Sequence, residues 1–256
     1  MSDVVCEIVR DQIFKLAARG MRGDGRAFDE MRALHIETGV IENAEGSARV
    51  RLGDTDVIVG IKVDIGTPFK DRPDDGVLMT GAELRPVAHA EFETGPPREG
   101  AIELARVVDR GIRESGMIDL QKLCITPGEE VFMVFVDIQP LDHYGNLFDA
   151  SSIAAVAALR TATVPATRFG QPADFPMPVH TTPISTTFAK LGKHVFVDPE
   201  LKEEEVANAR LSIVTDEHGD IRAMQKGLCG SFTFAEIKEC ISLAQRHGAR
   251  VREKME

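Results

Sequence analysis

VFMVFVDIQPLDHYGNLFDASSIAAVAALR, residues 131 to 160, carries the plainest structural signal in the chain. It opens on a continuous apolar run, Val131 to Ile138, rich in Val and Phe and of strand length, which predicts a strand buried on both faces. Pro140 to Phe148 follow as a turn, where Asp142, Gly145 and Asn146 suit tight backbone geometry. Asp149 is the predicted N-cap of a helix with Ser151 and Ser152 in its first turn and a body almost entirely of Ala, Val, Leu and Ile. A helix apolar on nearly every side belongs against a sheet. Strand, tight turn and helix N-terminus together present free backbone N–H groups to an anion. The turn is therefore the place to look for phosphate chemistry, yet it holds almost none of the side chains such chemistry uses.

A chain of 256 residues makes one large or two small domains with a substantial core. Its 30 basic residues against 41 acidic ones give a formal charge of −11, so the surface as a whole repels a polyanion. Any nucleic-acid contact has to come from a local basic stripe or from a partner. There is no Trp and one Tyr, Tyr144, which argues against an aromatic platform for bases. Cys6, Cys124, Cys229 and Cys240 show no CxxC spacing and read as reduced thiols of a cytosolic protein. No apolar run reaches membrane-spanning length, and the N-terminus lacks the plan of a signal peptide. A soluble, cytoplasmic protein without a membrane partner is expected.

Outward from the central stretch, residues 1–20 are expected to be an amphipathic helix, with Val5, Ile8, Val9, Ile13 and Leu16 mostly at helical spacing. Ser47 to Leu52, Gly53-Asp54-Thr55 and Asp56 to Val63 predict a β-hairpin. TPFKDRPDDG, residues 67 to 76, is an exposed loop by its prolines and charges, and Val77 to Ala90 is expected to be strand. Glu99 to Gly116 predicts a helix with Ile102, Ala105, Val108 and Ile112 on its apolar face. Thr161 to Thr187, rich in Pro, Thr and Ala, has the composition of an extended linker. Beyond it come a short strand at His194–Val197, a second hairpin over Arg210–Lys226, and a terminal helix from Phe234 to Met255 with basic residues near its end. Strands interrupted by a few helices indicate a mixed α+β architecture.

Arg106, Arg110 and Arg113 form the strongest functional signal, one narrow helical stripe spread over roughly 10 Å. Guanidinium suits phosphate, so the row could meet consecutive phosphates of a single strand. Glu103, Asp109 and Glu114 flank it at helical spacing, which equally describes a salt-bridged solvated or interface face. Asp71, Asp74 and Asp75 read as a solvated loop, and Glu203 to Glu205 as a charge run at a helix start. The seven histidines make no HExxH or paired metal spacing, and no GxSxG, Walker A or dinucleotide fingerprint occurs. No catalytic residue, metal ligand or cofactor site is predicted.

Four stretches in order carry a resemblance: GDGRAFDEMR (23–32), EGSARVRLGDTDVIVGIKV (45–63), AIELARVVDRGIRES (101–115) and VFVDIQPLDHYGNLFDASSIAAVAAL (134–159). They resemble the RNase PH family, and within it the non-catalytic RNase PH-like subunit of the archaeal exosome ring. The resemblance runs from about Arg22 to the last helix. It implies an RNase PH-type fold, with a ribosomal-protein-S5-like N-terminal part over residues 21–165, the linker at 166–186, and a smaller C-terminal αβ part over 187–256. It also implies a hexameric ring, a trimer of heterodimers, in which this subunit alternates with a catalytic RNase PH-like paralogue. RNA-binding cap proteins complete the complex, and single-stranded RNA is shortened from its 3′ end by phosphate. In such a ring the arginine-bearing helix lies near the paralogue, so Arg106, Arg110 and Arg113 would help hold RNA beside the partner's site.

Active members of the family use three elements that can be sought here. An arginine before the arginine-bearing helix holds the attacking phosphate; the matching place is near Gly100, with Arg98 two residues away. A Gly-Gly-Ser/Thr-Arg turn holds the same phosphate, and here the turn reads Tyr144-Gly145-Asn146-Leu147-Phe148, with neither hydroxyl nor arginine. An aspartate serves acid–base or metal chemistry, and Asn208 or Ala209 stands in its place. Phosphate attacking a phosphodiester brings two anions together, so the site must supply positive charge and aimed donors. Loss of all three elements predicts a silent subunit. The rival expectations are a self-sufficient phosphate-dependent 3′-to-5′ exoribonuclease using Arg98 and the turn, and a homo-oligomeric RNA-binding protein without a ring partner.

Overall fold

The computed structural model of the protein describes residues 3 to 255. The N-terminal half runs α1 (Asp3–Ala18), β1 (Leu34–Thr38), β2 (Gly46–Leu52), β3 (Thr55–Gly66), β4 (Val77–Ala82), α2 (Glu99–Ser115), β5 (Cys124–Thr126), β6 (Glu130–Asp142) and α3 (Leu147–Thr161). The remainder runs β7 (Thr163–Val164), β8 (Phe175–Pro176), β9 (Ile184–Leu191), β10 (His194–Val197), α4 (Leu201–Val206), β11 (Ala209–Thr215), β12 (Ile221–Gly227) and α5 (Phe234–Glu253).

A six-stranded sheet in the order β1-β2-β3-β6-β4, with β5 beside β6, is antiparallel except for the β4–β6 pair. The expected first hairpin is β2–β3, closed at Leu52↔Thr55 by Gly53-Asp54. A four-stranded antiparallel sheet, β10-β9-β11-β12, contains the expected second hairpin as β11–β12. α3 lies between the two sheets, against β2 and β3 on one side and β9 on the other. This explains its composition: every residue from Leu147 to Leu159 is buried. Small side chains let it come close, and an added Cβ on Gly46 would lie 2.5 Å from the Ala158 carbonyl oxygen. The mixed α/β architecture agrees with the sequence expectation.

Several local expectations are corrected. β6 is not buried on both faces: Phe132, Val134, Val136 and Ile138 point inward, whereas on the other face Val131 is buried, Met133 and Phe135 are half-buried and Asp137 is exposed. An antiparallel sheet covered on one side needs only alternate positions to be apolar, and the continuous run hid that alternation. The N-cap of α3 is Asn146, in the left-handed region at φ 54, with its side chain accepting from the Asp149 N–H. Asn tolerates this conformation, and Asp149 instead turns its carboxylate to Thr187. Strand β4 ends at Ala82, short of the expected Ala90. Ile102 is 48% exposed, and Leu104 and Ala101 take its place on the buried face of α2. Ile8 is exposed while Ile13 and Ala17 anchor α1; the Val5 side chain lies outside the described residues. The 161–187 stretch carries the short β7–β8 pair, and residues 184 to 187 lie buried inside β9. Among the described residues no helix is long and apolar enough to cross a membrane, and no cluster of His, Cys, Asp and Glu could hold a metal ion.

Candidate functional site

α2 presents its arginines along an open cleft of about 730 Å³, bordered by Thr80 of β4 and Gln225 of β12. The three guanidinium groups have different surroundings. Arg113 is tied down: Nε and Nη2 each donate to the Asp109 carboxylate at 3.0 Å, and Nη2 also donates to the Leu78 carbonyl at 3.0 Å. Asp109 accepts from Thr80 Oγ1 as well, so this pair fastens α2 to β4. Arg110 is held more lightly, its Nη1 donating to Gln225 Oε1 at 3.3 Å. Arg106 is exposed and has no hydrogen bond or ion pair among the described residues. The flanking acids are partly neutralised, Asp109 by Arg113 and Glu103 by Arg210. All three line the cleft, but the stripe divides into a tethered member, Arg113, and two more loosely held cations, Arg106 and Arg110.

The turn before α3 has the backbone geometry of an anion site but faces the chain's own acids. Gly145 has φ +95, and an added Cβ there would lie 2.4 Å from the Leu201 nitrogen, so the 199–201 segment presses directly on the turn. Asn146 Nδ2 donates to Asp149 Oδ2 at 2.8 Å and to Asp198 Oδ1 at 2.7 Å. The Asn146 backbone N–H faces the Glu204 carboxylate. Burial pushes the Asp149 acid up to about 6, against its bonds from Asn146 and Thr187, and the Glu204 acid up to about 7. Asp198 is buried too, but its bonds to Arg32 overcome the desolvation and hold it below the usual carboxylate range. Three carboxylates thus gather where a phosphate would approach the helix end.

The other two sought elements lie elsewhere. Arg98 is the N-cap residue of α2, with its side chain 76% exposed and paired with Glu93. It borders a separate cleft of about 430 Å³ whose lining includes no residue of the turn or of the 206–214 neighbourhood. Asn208 Oδ1 accepts from the Gly192 N–H at 2.9 Å, and Ala209 is fully buried. The next side chain, Arg210, pairs with Glu103 and lies with its guanidinium carbon 4.1 Å from the Phe148 ring centroid, a cation–π contact across the two parts of the chain. A basic side chain thus lies on an aromatic ring next to the turn, with its guanidinium already paired with Glu103.

Sequence reasoning missed the residues that organise this region. Arg22 is buried against Glu203, with Nε donating to Oε1 at 2.9 Å. Arg26 and Arg32 both reach Asp198. These partners are more than 160 positions apart in the chain and belong to no periodic pattern, so nothing local announces them.

Two family models match the sequence: the 3′ exoribonuclease family, domain 1, over residues 30–165, and domain 2 of the same family over residues 181–247. The chain is 52% identical over 254 residues to exosome complex component Rrp42 of Methanocella arvoryzae, covering 99% of this chain and 98% of that one. It is 50% identical to exosome complex component Rrp42 of Thermococcus kodakarensis, covering 99% and 96%. A solved structure described as the Archaeoglobus fulgidus exosome with RNA bound to the active site contains a chain that superposes with a TM-score of 0.96 at 46% identity, covering 99% of this chain and 100% of that one.

Proposed function

The chain belongs to the RNase PH family of 3′ exoribonucleases, and on that footing we propose that it is a non-catalytic ring subunit of an RNA-degrading exosome in the cytoplasm. It structures the active site of a catalytic RNase PH-like paralogue and helps to hold single-stranded RNA for 3′-to-5′ phosphorolysis. The observation that carries the silent role is the crowd of acids at the α3 N-terminus. A phosphate entering there would meet Asp149, Asp198 and Glu204 with no open guanidinium to offset them. Arg32, the nearest cation to Asp198, already gives Nε and Nη2 to it. The likeness to Rrp42 components over nearly the full length of both chains supports the ring assignment.

RNA holding falls to Arg106 and Arg110. They sit one turn apart on the cleft side of α2, about 6 Å along its axis, with donors not committed to carboxylates. Two cations beside a neighbour's site would bind the backbone without reading sequence, as a general RNA-shortening machine needs. The test is an assay of the purified chain alone, of the paralogue alone, and of the two together, with RNA, phosphate and Mg²⁺. Nucleoside diphosphates are expected only where the paralogue is present, with more from the mixture than from the paralogue alone. Release by this chain on its own would establish the rival, a self-sufficient phosphate-dependent exoribonuclease.

A further inference from the structure

We infer that Gln225 is a positioning residue of the RNA groove: its amide oxygen holds the Arg110 guanidinium against β12 so that the remaining donors of that group face the cleft. The inference rests on the reading of Arg106 and Arg110 as RNA contacts, and adds a residue from the other sheet to them.

The chemistry fixes the orientation of the amide. Arginine has donors only, so the group meeting Arg110 Nη1 at 3.3 Å must be the carbonyl oxygen of Gln225, and the NH₂ must point away. That NH₂ has one protein partner among the described residues, the Lys226 carbonyl at 3.5 Å, at the limit of a hydrogen bond. It is therefore a neutral donor on the wall of the same cleft as Arg106.

The support behind Gln225 is rigid. It pairs directly with Ser212 of β11, and directly opposed residues share a face of the sheet. The Ser212 hydroxyl is 2.8 Å from Thr187 Oγ1, which donates to the buried Asp149. On the same face, Gly111 lets α2 come close to β11; an added Cβ there would be 3.3 Å from Val214 Cγ2. Arg110 is thus braced from the C-terminal sheet, whereas Arg106 is left to move. A guanidinium held in place gives up less side-chain entropy when a phosphodiester arrives than a free one does.

The experiment uses the ring assembled from this chain and its catalytic paralogue, a 5′-labelled single-stranded RNA, and binding and turnover measured over a range of salt. Gln225→Ala should weaken RNA binding and raise KM about threefold to tenfold, the loss of one hydrogen bond, with kcat at saturating RNA unchanged. In the Arg110→Ala background the same change should have no further effect. Gln225→Glu should weaken binding at least as much as Arg110→Ala and lower the magnitude of the salt slope by about 0.7, because a carboxylate would neutralise Arg110. Normal binding by Gln225→Ala, or independent losses in the double variant, would overturn the inference while leaving the arginine reading in place. Normal binding by Arg110→Ala would overturn both.

Discussion

Arg32 grips Asp198 with two parallel hydrogen bonds, Nη2 to Oδ1 at 2.7 Å and Nε to Oδ2 at 2.9 Å, across 166 positions of the chain. The Arg32 backbone N–H adds a third at 2.8 Å, and Arg26 and Asn146 also reach the same carboxylate. One buried acid therefore joins the connector before β1, the turn before α3 and the loop after β10.

Removing that acid should cost far more than removing a surface partner. Asp198→Ala leaves Arg32 and Arg26 facing a buried space without their anion, a loss expected to be about 3–5 kcal/mol. The comparison is Glu37→Ala, which breaks a pair with Arg51 whose side chains are 51% and 49% exposed and should cost about 1 kcal/mol or less. Urea unfolding of the two variants decides it. Equal midpoints would mean that Asp198 is no hub.

Glu204 makes stability depend on pH. Its folded acid sits near 7 instead of 4.5, so between those values the folded chain keeps a proton that the unfolded chain gives up. Stability contributed by this group is full below pH 4.5 and is lost as pH rises through 7. Glu204→Gln should match the parent near pH 5 and exceed it near pH 8 by on the order of 1–2 kcal/mol. Thermal melts across that range check this, and parallel curves for the two proteins would refute it.

The hairpins, the terminal helix and the all-apolar α3 were legible because each is written in neighbouring residues: alternation in β2, a Gly-Asp turn, and Ala-rich burial on every side. The cap of α3 was misplaced because Asp149 looks like a cap locally, and only the left-handed backbone at Asn146 decides between them. The arginine row was visible as a row. Its division was not, since Arg113 is claimed partly by a carbonyl of β4 and Arg110 by an amide of β12. The acids around the turn could not be read at all. Glu204 looks like one member of a solvated run until folding sets it facing the Asn146 N–H.

That division predicts two phenotypes from one helix. Arg106→Glu with Arg110→Glu should weaken RNA binding by the assembled ring and leave assembly intact. Every phosphate deprived of its guanidinium should lower the magnitude of the salt slope by about 0.7. Arg113→Ala should lower thermal stability instead, by about 1–3 kcal/mol, since Asp109 and the Leu78 carbonyl lose their shared donor. Filter binding and melting of the parent and both variants separate the outcomes. A ring that falls apart with the double charge reversal would make those two arginines structural.

Gly145 tests whether the turn is held shut by contact or by backbone preference. Two costs meet there in a Gly145→Ala variant: a residue other than glycine at φ +95, and a Cβ 2.4 Å from the Leu201 nitrogen and 2.7 Å from the Pro199 carbonyl oxygen. Gly128 offers the first cost alone, because it has φ +78 and nothing within 4 Å of an added Cβ. Gly128→Ala should therefore cost about 1–2 kcal/mol, the penalty of the left-handed region. Gly145→Ala should cost at least about 2 kcal/mol more, because the backbone of the 199–201 segment cannot yield without moving Glu204 and Asp198 with it. If the two variants melt together, the 199–201 segment is not pressed on the turn, and the acids are free to leave the helix end.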